Sequence, residues 1–261
     1  MKADYHIHTN YSEDSSTDME EYIIQAIKLD YKDICFTDHI DYGTPFCFNC
    51  DIKNYLKDIL FYKEKYKNQI DIKFGMEFGA QAHHKDYFQN IFNNYSFDFI
   101  ILSFHLINDK DLWDRSFQKG KSQAQFNREY YEEIFNTIQV YNDYSVLGHL
   151  DLIRRYDDFG EMPFEYNKEI IEEILLHLIS NNKGIELNTS SFRYKLQDLM
   201  PSVDILKFYK QLGGEIITIG SDCHYLNHFS YKITEMREFL KTLGYKYFCT
   251  FDKMKEKFHE L

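Results

Sequence analysis

Histidine and carboxylate side chains recur in this sequence at spacings that suit metal binding. His6 and His8 are two residues apart, as are Asp222 and His224, and both pairs adjoin short apolar runs typical of strands. Side chains two positions apart in a strand point to the same face. Imidazoles and carboxylates without thiolates are the donor set that Zn, Mn or Fe(II) prefers. The sequence therefore predicts a site for divalent metal ions.

Further candidate ligands follow other apolar runs along the chain. The full set is His6, His8, Asp14, His39, Glu77, His105, His149, Asp222 and His224. A lone histidine is usually a packed or surface residue, but that reading does not explain so many at strand ends. The set is too large for one tetrahedral ion, so two or three metals are expected. Glu77 is a natural bridge between two ions, and paired ions suit in-line phosphoryl displacement.

Apolar runs of strand length alternate with longer amphipathic segments, and these elements must position the ligands. The predicted strands are 5–8, 34–37, 72–77, 97–102, 146–148, 184–187, 216–219 and 247–250. The predicted helices are 17–29, 51–67, 122–142, 165–181, 202–212 and 231–243. Strands spaced by helices imply parallel βα units. Seven or eight units without a linker predict an α/β fold, a closed or distorted (β/α) barrel that spans residues 1–261 as a single domain. An open doubly wound sheet is the alternative, although no GxGxxG or Walker-type loop follows a strand.

Basic side chains follow two of the predicted strands. Arg154 and Arg155 come after the His149 motif, and Arg193 and Lys195 come after strand 184–187. In a barrel the carboxyl ends of the strands meet at one mouth, where active sites of this architecture lie. A guanidinium group suits bidentate phosphate binding. These four residues are candidates for substrate binding, and surface solvation or ion pairing is the alternative.

The remaining histidines have less informative settings. His83, His84 and His228 lie near strand ends, where they could touch a substrate, but we interpret them as loop residues. His177 and His259 fall on predicted helix surfaces without an evident partner. None of the five is needed for the predicted metal site.

Composition restricts the possible partners. The chain has 261 residues with 30 Lys and Arg against 42 Asp and Glu, a net charge of −12. Non-specific affinity for nucleic acid comes from clustered Lys and Arg, so a nucleic-acid scaffold is not expected, whereas a small anionic ligand is compatible. No stretch approaches the ~18 apolar residues of a membrane span, and the N-terminus lacks the apolar core of a signal peptide. With five scattered cysteines, these features predict a cytoplasmic protein without a membrane partner. The oligomeric state is left open.

Six motifs in order resemble those of the PHP (polymerase and histidinol phosphatase) family, and they extend from residue 6 to residue 224. They are His6-Ile7-His8 with Asp14, Thr37-Asp38-His39, Gly75-Met76-Glu77, Ser103-Phe104-His105, Gly148-His149-Leu150-Asp151 and Ser221-Asp222-Cys223-His224. Within the family, the length and the single-domain layout look like those of the stand-alone histidinol-phosphatases.

The resemblance implies a distorted (β/α)7 barrel with a trinuclear metal centre. His6, His8, Glu77 and Asp222 would hold the first metal, and Glu77, His105 and His149 the second. Asp14, His39 and His224 would hold the third. Some family members have a histidine where Asp14 stands, and a harder carboxylate ligand there favours Mn or Fe.

The activity implied is hydrolysis of a phosphomonoester, with L-histidinol phosphate in histidine biosynthesis as the expected substrate. A hydroxide bridging the first two metals would attack phosphorus, with Glu77 holding both ions. Asp38, Asp151 or a water on the third metal could protonate the leaving oxygen, and the sequence does not choose among them. The alternative is a phosphoesterase for another small ester, namely a nucleotide, an oligonucleotide or a phosphotyrosyl peptide. A non-catalytic metal-binding barrel is a third reading, which the complete ligand set disfavours.

Overall fold

The computed structural model describes residues 1–45, 47 and 49–261. In this part of the chain the strands are β1 Ala3–Ile7, β2 Asp33–Phe36, β3 His39–Asp41, β4 Asp71–Gly79, β5 Phe99–Ser103, β6 Leu106–Ile107, β7 Lys110–Asp111, β8 Val146–Leu147, β9 Gly184–Asn188, β10 Ile217–Gly220, β11 Tyr247–Asp252 and β12 Lys255–Glu260. The α-helices are α1 Met19–Lys28, α2 Ile52–Tyr66, α3 Lys85–Asn94, α4 Gln123–Val140, α5 Lys168–Ser180, α6 Val203–Gln211 and α7 Ile233–Thr242.

Seven parallel strands form a nearly closed barrel in the order β1-β2-β4-β5-β8-β9-β10, and β3 extends the pairing of β4. The ring is completed just beyond β10, where Ile7 and Cys223 form a parallel bridge. There the backbone N–H of His8 donates to the carbonyl oxygen of Cys223 at 3.0 Å. The (β/α)7 barrel prediction is thereby confirmed, and the open doubly wound sheet is wrong.

The barrel strands are buried because side chains fill the interior and helices cover the outside. Every residue of β5 is buried, which explains why this strand is a continuous apolar run rather than an alternating one. The helices bury one stripe each. In α1 the buried residues Met19, Tyr22, Ile23 and Ala26 recur at three- and four-residue spacing. Among the described residues, no helix combines the length and apolar character needed to cross a membrane.

Each predicted strand and helix overlaps an observed one, with ends that differ by a few residues. The first helix begins after Asp18, as expected, although the Asp18 side chain accepts from Asn10 Nδ2 at 2.6 Å instead of capping the helix. Among the strands and α-helices, four features were not predicted: β3, α3, the β6–β7 hairpin and β12, which pairs with β11. The sequence of β12, Lys-Glu-Lys-Phe-His-Glu, is largely charged and exposed, so apolar periodicity does not identify it.

Candidate metal centre

The candidate ligands come together at the carboxyl ends of the barrel strands. His6 lies near the end of β1 and His8 directly follows it, while Asp222 and His224 follow β10. Strand β3 pairs with β4 in the register that sets His39 opposite Glu77. This mouth is where a parallel barrel collects side chains from many separate segments.

Glu77 is the centre of the cluster and is only 1% exposed. Its Oε2 lies 2.9 Å from His39 Nδ1, and its Oε1 lies 2.8 Å from His149 Nε2. The other imidazoles within 3.5 Å of this carboxylate are those of His6, His8 and His105. Burial alone would raise the pKa of Glu77, but His6, His39 and His105 outweigh it and hold the pKa well below its usual range. Glu77 is therefore an anion surrounded by nitrogen ligands.

Two further carboxylates complete the arrangement. Asp222 Oδ1 lies 3.4 Å from His8 Nε2 and 3.7 Å from His6 Nε2. Asp14, on the exposed side, has its Oδ2 at 2.9 Å from His224 Nε2 and 3.7 Å from His39 Nε2. Asp222 adopts a left-handed conformation, with φ of 52°. A non-glycine residue adopts this conformation only where surrounding contacts offset its cost.

The chemistry of the donor atoms fits divalent metal ions. His6 Nε2, His8 Nε2, His39 Nδ1 and Glu77 Oε2 are buried, yet in the described part of the chain they have no partner with hydrogen-bond geometry. Buried polar atoms are normally satisfied, so a convergent group of unsatisfied ones needs an explanation. Burial and the neighbouring His39 and His224 also hold the pKa of His8 well below its usual range. A neutral imidazole presents a lone pair, as a metal ligand must.

The groupings overlap the predicted sets without coinciding with them. Ligand atoms of His6, His8 and Asp222 lie within 4.8 Å of one another, as do those of His8, His39 and His224. Glu77 contacts both His105 and His149. His39 was expected only beside Asp14 and His224, but it also reaches Glu77 and so joins two of the sets. All nine candidate ligands lie in one cluster, and the ligand role of each stays a prediction.

A second layer of polar residues, which sequence reasoning missed, orients the imidazoles. Glu186 Oε1 lies 2.6 Å from His6 Nδ1, and Asp41 Oδ1 lies 2.8 Å from His105 Nδ1. Anchoring one ring nitrogen fixes the tautomer and directs the other nitrogen to a metal. Glu186 had a sequence signal: it is an acidic residue inside the buried apolar strand β9.

The two aspartates predicted as catalytic, Asp38 and Asp151, lie elsewhere. Asp38 is fully buried and accepts hydrogen bonds from Thr9 N, Thr9 Oγ1 and Ser12 Oγ at 2.7, 2.9 and 2.6 Å. Asp151 is also fully buried, and its Oδ2 accepts from Arg154 Nη1 and Ser202 N, both at 2.8 Å. Burial raises the pKa of both carboxyl groups. These hydrogen bonds anchor the segments around Thr9, Ser12 and Ser202, and a leaving-group acid at either position stays a prediction.

The predicted phosphate-binding residues separate into two groups. Arg154 is buried, and its guanidinium contacts Asp151, Glu161 and the carbonyl oxygen of Leu199. It is therefore engaged within the protein, contrary to expectation. Arg193 instead donates from Nη1 to the carbonyl oxygen of Ser221 and from Nη2 to that of Asp222, at 2.8 and 2.6 Å.

Arg155 directly follows Arg154, and Lys195 lies two residues after Arg193. Both are less buried than Arg154. The Arg155 guanidinium lies over the Tyr194 ring, 3.0 Å from its centroid. Lys195 is exposed and has a positive φ of 55°. Arg193 donates to the backbone of Asp222, a candidate metal ligand, and so contacts the candidate metal centre directly.

Comparison with known proteins gives consistent matches. Residues 4–190 match the family model described as PHP domain. A histidinol-phosphatase of Lactococcus lactis is 34% identical over 260 residues, covering 97% of this chain and 96% of the relative. A probable histidinol-phosphatase of Clostridium acetobutylicum is 32% identical over 231 residues, covering 86% and 87%.

A solved structure extends the likeness to three dimensions. The crystal structure of histidinol phosphate phosphatase from Lactococcus lactis, complexed with Zn, L-histidinol and phosphate, has a TM-score of 0.91 and 32% identity, and the match covers 98% of each chain. These similarities extend over nearly the whole length of both proteins and agree with the six motifs and the barrel. The chain belongs to the PHP domain family.

Proposed function

We propose that this protein hydrolyses L-histidinol phosphate to L-histidinol and phosphate with the help of divalent ions bound at the barrel mouth. The observation that carries the proposal is the buried Glu77 carboxylate with the imidazoles around it. His6 Nε2, His8 Nε2 and His39 Nδ1 face this carboxylate without a partner in hydrogen-bond geometry among the described residues. The full-length similarity to histidinol-phosphatases supports the choice of substrate.

The chain offers three ligand sets, the first two sharing Glu77, for two or three ions of Zn, Mn or Fe. His6, His8, Glu77 and Asp222 would hold the first, Glu77, His105 and His149 the second, and Asp14, His39 and His224 the third. Bound ions would activate a water molecule at neutral pH and neutralise charge on the phosphoryl oxygens. The zinc in the crystal structure of the Lactococcus lactis relative supports this donor chemistry.

The protein itself supplies orientation. Glu186 and Asp41 hold the Nδ1 atoms of His6 and His105, so that Nε2 of each ring faces Glu77. Ser103 Oγ donates to Glu77 Oε1 at 2.6 Å and fixes the carboxylate plane. Because these contacts exist before substrate arrives, the site needs little reorganisation during the reaction.

Arg193 and Arg155 are the best placed groups for the phosphate. Arg193 uses two of its five N–H groups on backbone carbonyls and keeps three for a ligand. Arg155 stacks on Tyr194, which leaves its N–H edge free. Lys195, the residue after Tyr194, adds positive charge. Arg154 is not included, because Asp151 and Glu161 already bind its guanidinium.

A substrate panel tests the proposal. Metal-reconstituted protein would be assayed with histidinol phosphate, nucleoside monophosphates, sugar phosphates and a phosphotyrosyl peptide. We expect kcat/KM for histidinol phosphate to exceed the others by at least ~100-fold, because a site with dedicated polar contacts strongly rejects substrates that lack the matching groups. Comparable values across the panel would contradict the substrate and favour a general phosphoesterase.

A further inference from the structure

A second group of histidines and an aspartate lies outside the central cluster. His83 and His84 belong to a short 3-10 helix, Ala82–His84, that follows β4, and Asp109 lies in the turn between β6 and β7. We call these three residues the rim cluster. They share no residue with the nine candidate ligands, and the phosphatase proposal gives them no role.

The contacts of Asp109 are unusually crowded. Its Oδ1 lies 2.8 Å from His84 Nε2, 3.1 Å from His83 Nε2 and 3.0 Å from Gln81 Nε2. A carboxylate oxygen offers about two lone-pair sites, so three N–H donors exceed its capacity. A neutral imidazole can instead present Nε2 as a lone pair. A cation between the imidazoles and the carboxylate accommodates all three side chains.

We propose that the rim cluster binds one divalent metal ion of the zinc type. Two imidazoles and one carboxylate are a common zinc donor set. Metal–ligand distances of about 2.0–2.2 Å set neighbouring ligand atoms in a tetrahedral site about 3.3 Å apart. The three atoms here lie within 4.8 Å of one another, so small side-chain movements reach that geometry. His83 and Asp109 are each 43% exposed, which leaves the remaining position to water.

The aspartate is held in place by a buried amide. Gln81 is fully buried, and its Oε1 accepts from the backbone N–H of Asp109 at 2.8 Å while its Nε2 donates to Asp109 Oδ1. Asn108 and Asp109 both have left-handed φ values, 51° and 57°, which form the tight turn that presents the carboxylate. Hydrogen bonds that hold a ligand in place are typical of metal sites.

The rim cluster lies between two segments of the barrel mouth, so an ion bound there would join them. The β6–β7 hairpin directly follows His105, and the backbone N–H of Leu112 donates to the carbonyl oxygen of His105 at 3.2 Å. An ion at the rim cluster would connect this hairpin to the segment that follows β4, the strand carrying Glu77. It would therefore stabilise the wall of the mouth without entering the reaction.

Metal counting tests the proposal. Chelator-treated wild type and the double variant His83→Gln/His84→Gln would be reloaded with zinc, dialysed, and measured by elemental analysis. We expect the double variant to hold one zinc ion fewer per chain than wild type. His177→Gln, which removes a histidine remote from both clusters, is the control and should match wild type. Equal zinc content in wild type and the double variant would overturn the proposal.

Anomalous diffraction from zinc-loaded crystals provides a second measurement that does not depend on the variants. The expected result is a zinc peak between His83, His84 and Asp109, in addition to density at the barrel mouth. Density at the mouth with none at the rim cluster would refute the rim site and leave the proposed phosphatase centre intact. Zinc at the rim cluster alone would support the rim site and contradict the proposed centre.

Discussion

Glu77 shows how a single residue can organise the mouth of the barrel. A buried carboxylate is costly unless it is paired, and here the ionisable groups paired with it are imidazoles rather than Lys or Arg. Imidazoles compensate the charge only when they are protonated or share a metal with the carboxylate. The second possibility explains why several of their nitrogens lack hydrogen bonds.

The substitution Glu77→Gln tests this role. We expect the variant to retain fewer metal ions per chain and to lose more than ~100-fold in kcat/KM, because a neutral amide cannot replace an anionic bridging ligand. Elemental analysis and steady-state kinetics provide the two readouts. Glu238→Gln, which alters an exposed partner of Lys241, should leave both unchanged. Wild-type activity after loss of metal from Glu77→Gln would disprove the mechanism.

Glu186 is expected to act through His6 rather than on the substrate. Removing the charge in Glu186→Gln should weaken zinc affinity by about 10–100-fold, because the His6 ring loses its anionic anchor. Activity should fall at limiting zinc and recover substantially when zinc is in excess. The exposed Glu215→Gln variant is a suitable control. A kcat defect that excess zinc does not relieve would assign Glu186 a different role.

The residues of the site were predictable to different degrees. The ligands could be identified because strand ends and two-residue spacing are visible along the chain, as in His6 and His8. The partner of His6 was not predictable, because Glu186 lies 180 positions away and only barrel closure brings it near. The burial of the Arg154 guanidinium also depended on a tertiary contact, since Nη1 donates to the carbonyl oxygen of Leu199, 45 positions away.

At the scale of elements, close packing of β10 against β1 fixes the geometry of the metal centre. Gly220 ends β10, and a Cβ there would lie 2.4 Å from the Cβ of His6 and 2.3 Å from Glu186 Oε1. Such distances are too short for carbon and oxygen atoms, so a larger residue must push the strands apart. The glycine therefore allows His6 and Glu186 to approach each other.

Gly220→Ala should disturb both stability and metal binding. Overpacking of this kind typically costs about 1–3 kcal/mol, and the displaced Glu186 should lower zinc affinity as well. Thermal unfolding and zinc titration would measure the two effects. Gly213→Ala is the matched control: it has open space but a φ of 94°, so backbone strain should reduce stability while zinc affinity is kept. Unchanged zinc affinity in Gly220→Ala would contradict the packing argument.

The elements themselves were largely predictable, because buried parallel strands are apolar on both faces. Strand β4 was predicted as 72–77 and extends over Asp71–Gly79, so Glu77 lies within it rather than at its end. Helix α3 was missed because Asn and aromatic residues dominate its sequence and are weak helix formers. Its stability comes from packing, as with the buried Phe88.

At the scale of the whole molecule, the β11–β12 hairpin joins the end of the barrel opposite the metal centre. The Tyr5 hydroxyl lies 3.0 Å from Asp33 Oδ1 and accepts from the backbone N–H of Phe251 at 3.1 Å. The turn of the hairpin also contacts the residue before β5: the backbone N–H of Met254 donates to the carbonyl oxygen of Asp98 at 2.9 Å. These contacts connect β1, β2 and the residue before β5 to the β11–β12 hairpin.

Burial at this junction gives Asp33 an unusual protonation behaviour. It raises the pKa of Asp33 from 3.8 to about 7, with Lys73 opposing the shift. Between those two pH values the folded chain retains a proton that the unfolded chain has released. Stability therefore falls as the pH rises from about 4 to about 7. The total loss from this group is on the order of 4 kcal/mol.

The substitution Asp33→Asn should remove this pH dependence while preserving an acceptor for Tyr5. Above pH 7 the variant should be more stable than wild type by up to ~4 kcal/mol, because wild type must bury an ionised carboxylate and the variant does not. Near pH 4 the two proteins should have similar free energies of unfolding, since Asp33 is then protonated in the folded state. Urea unfolding of metal-free protein across this range measures the difference, and using metal-free protein removes the pH dependence of metal binding. A constant difference at all pH values would show that the pKa of Asp33 is the same in the folded and unfolded states, contrary to the shift given above.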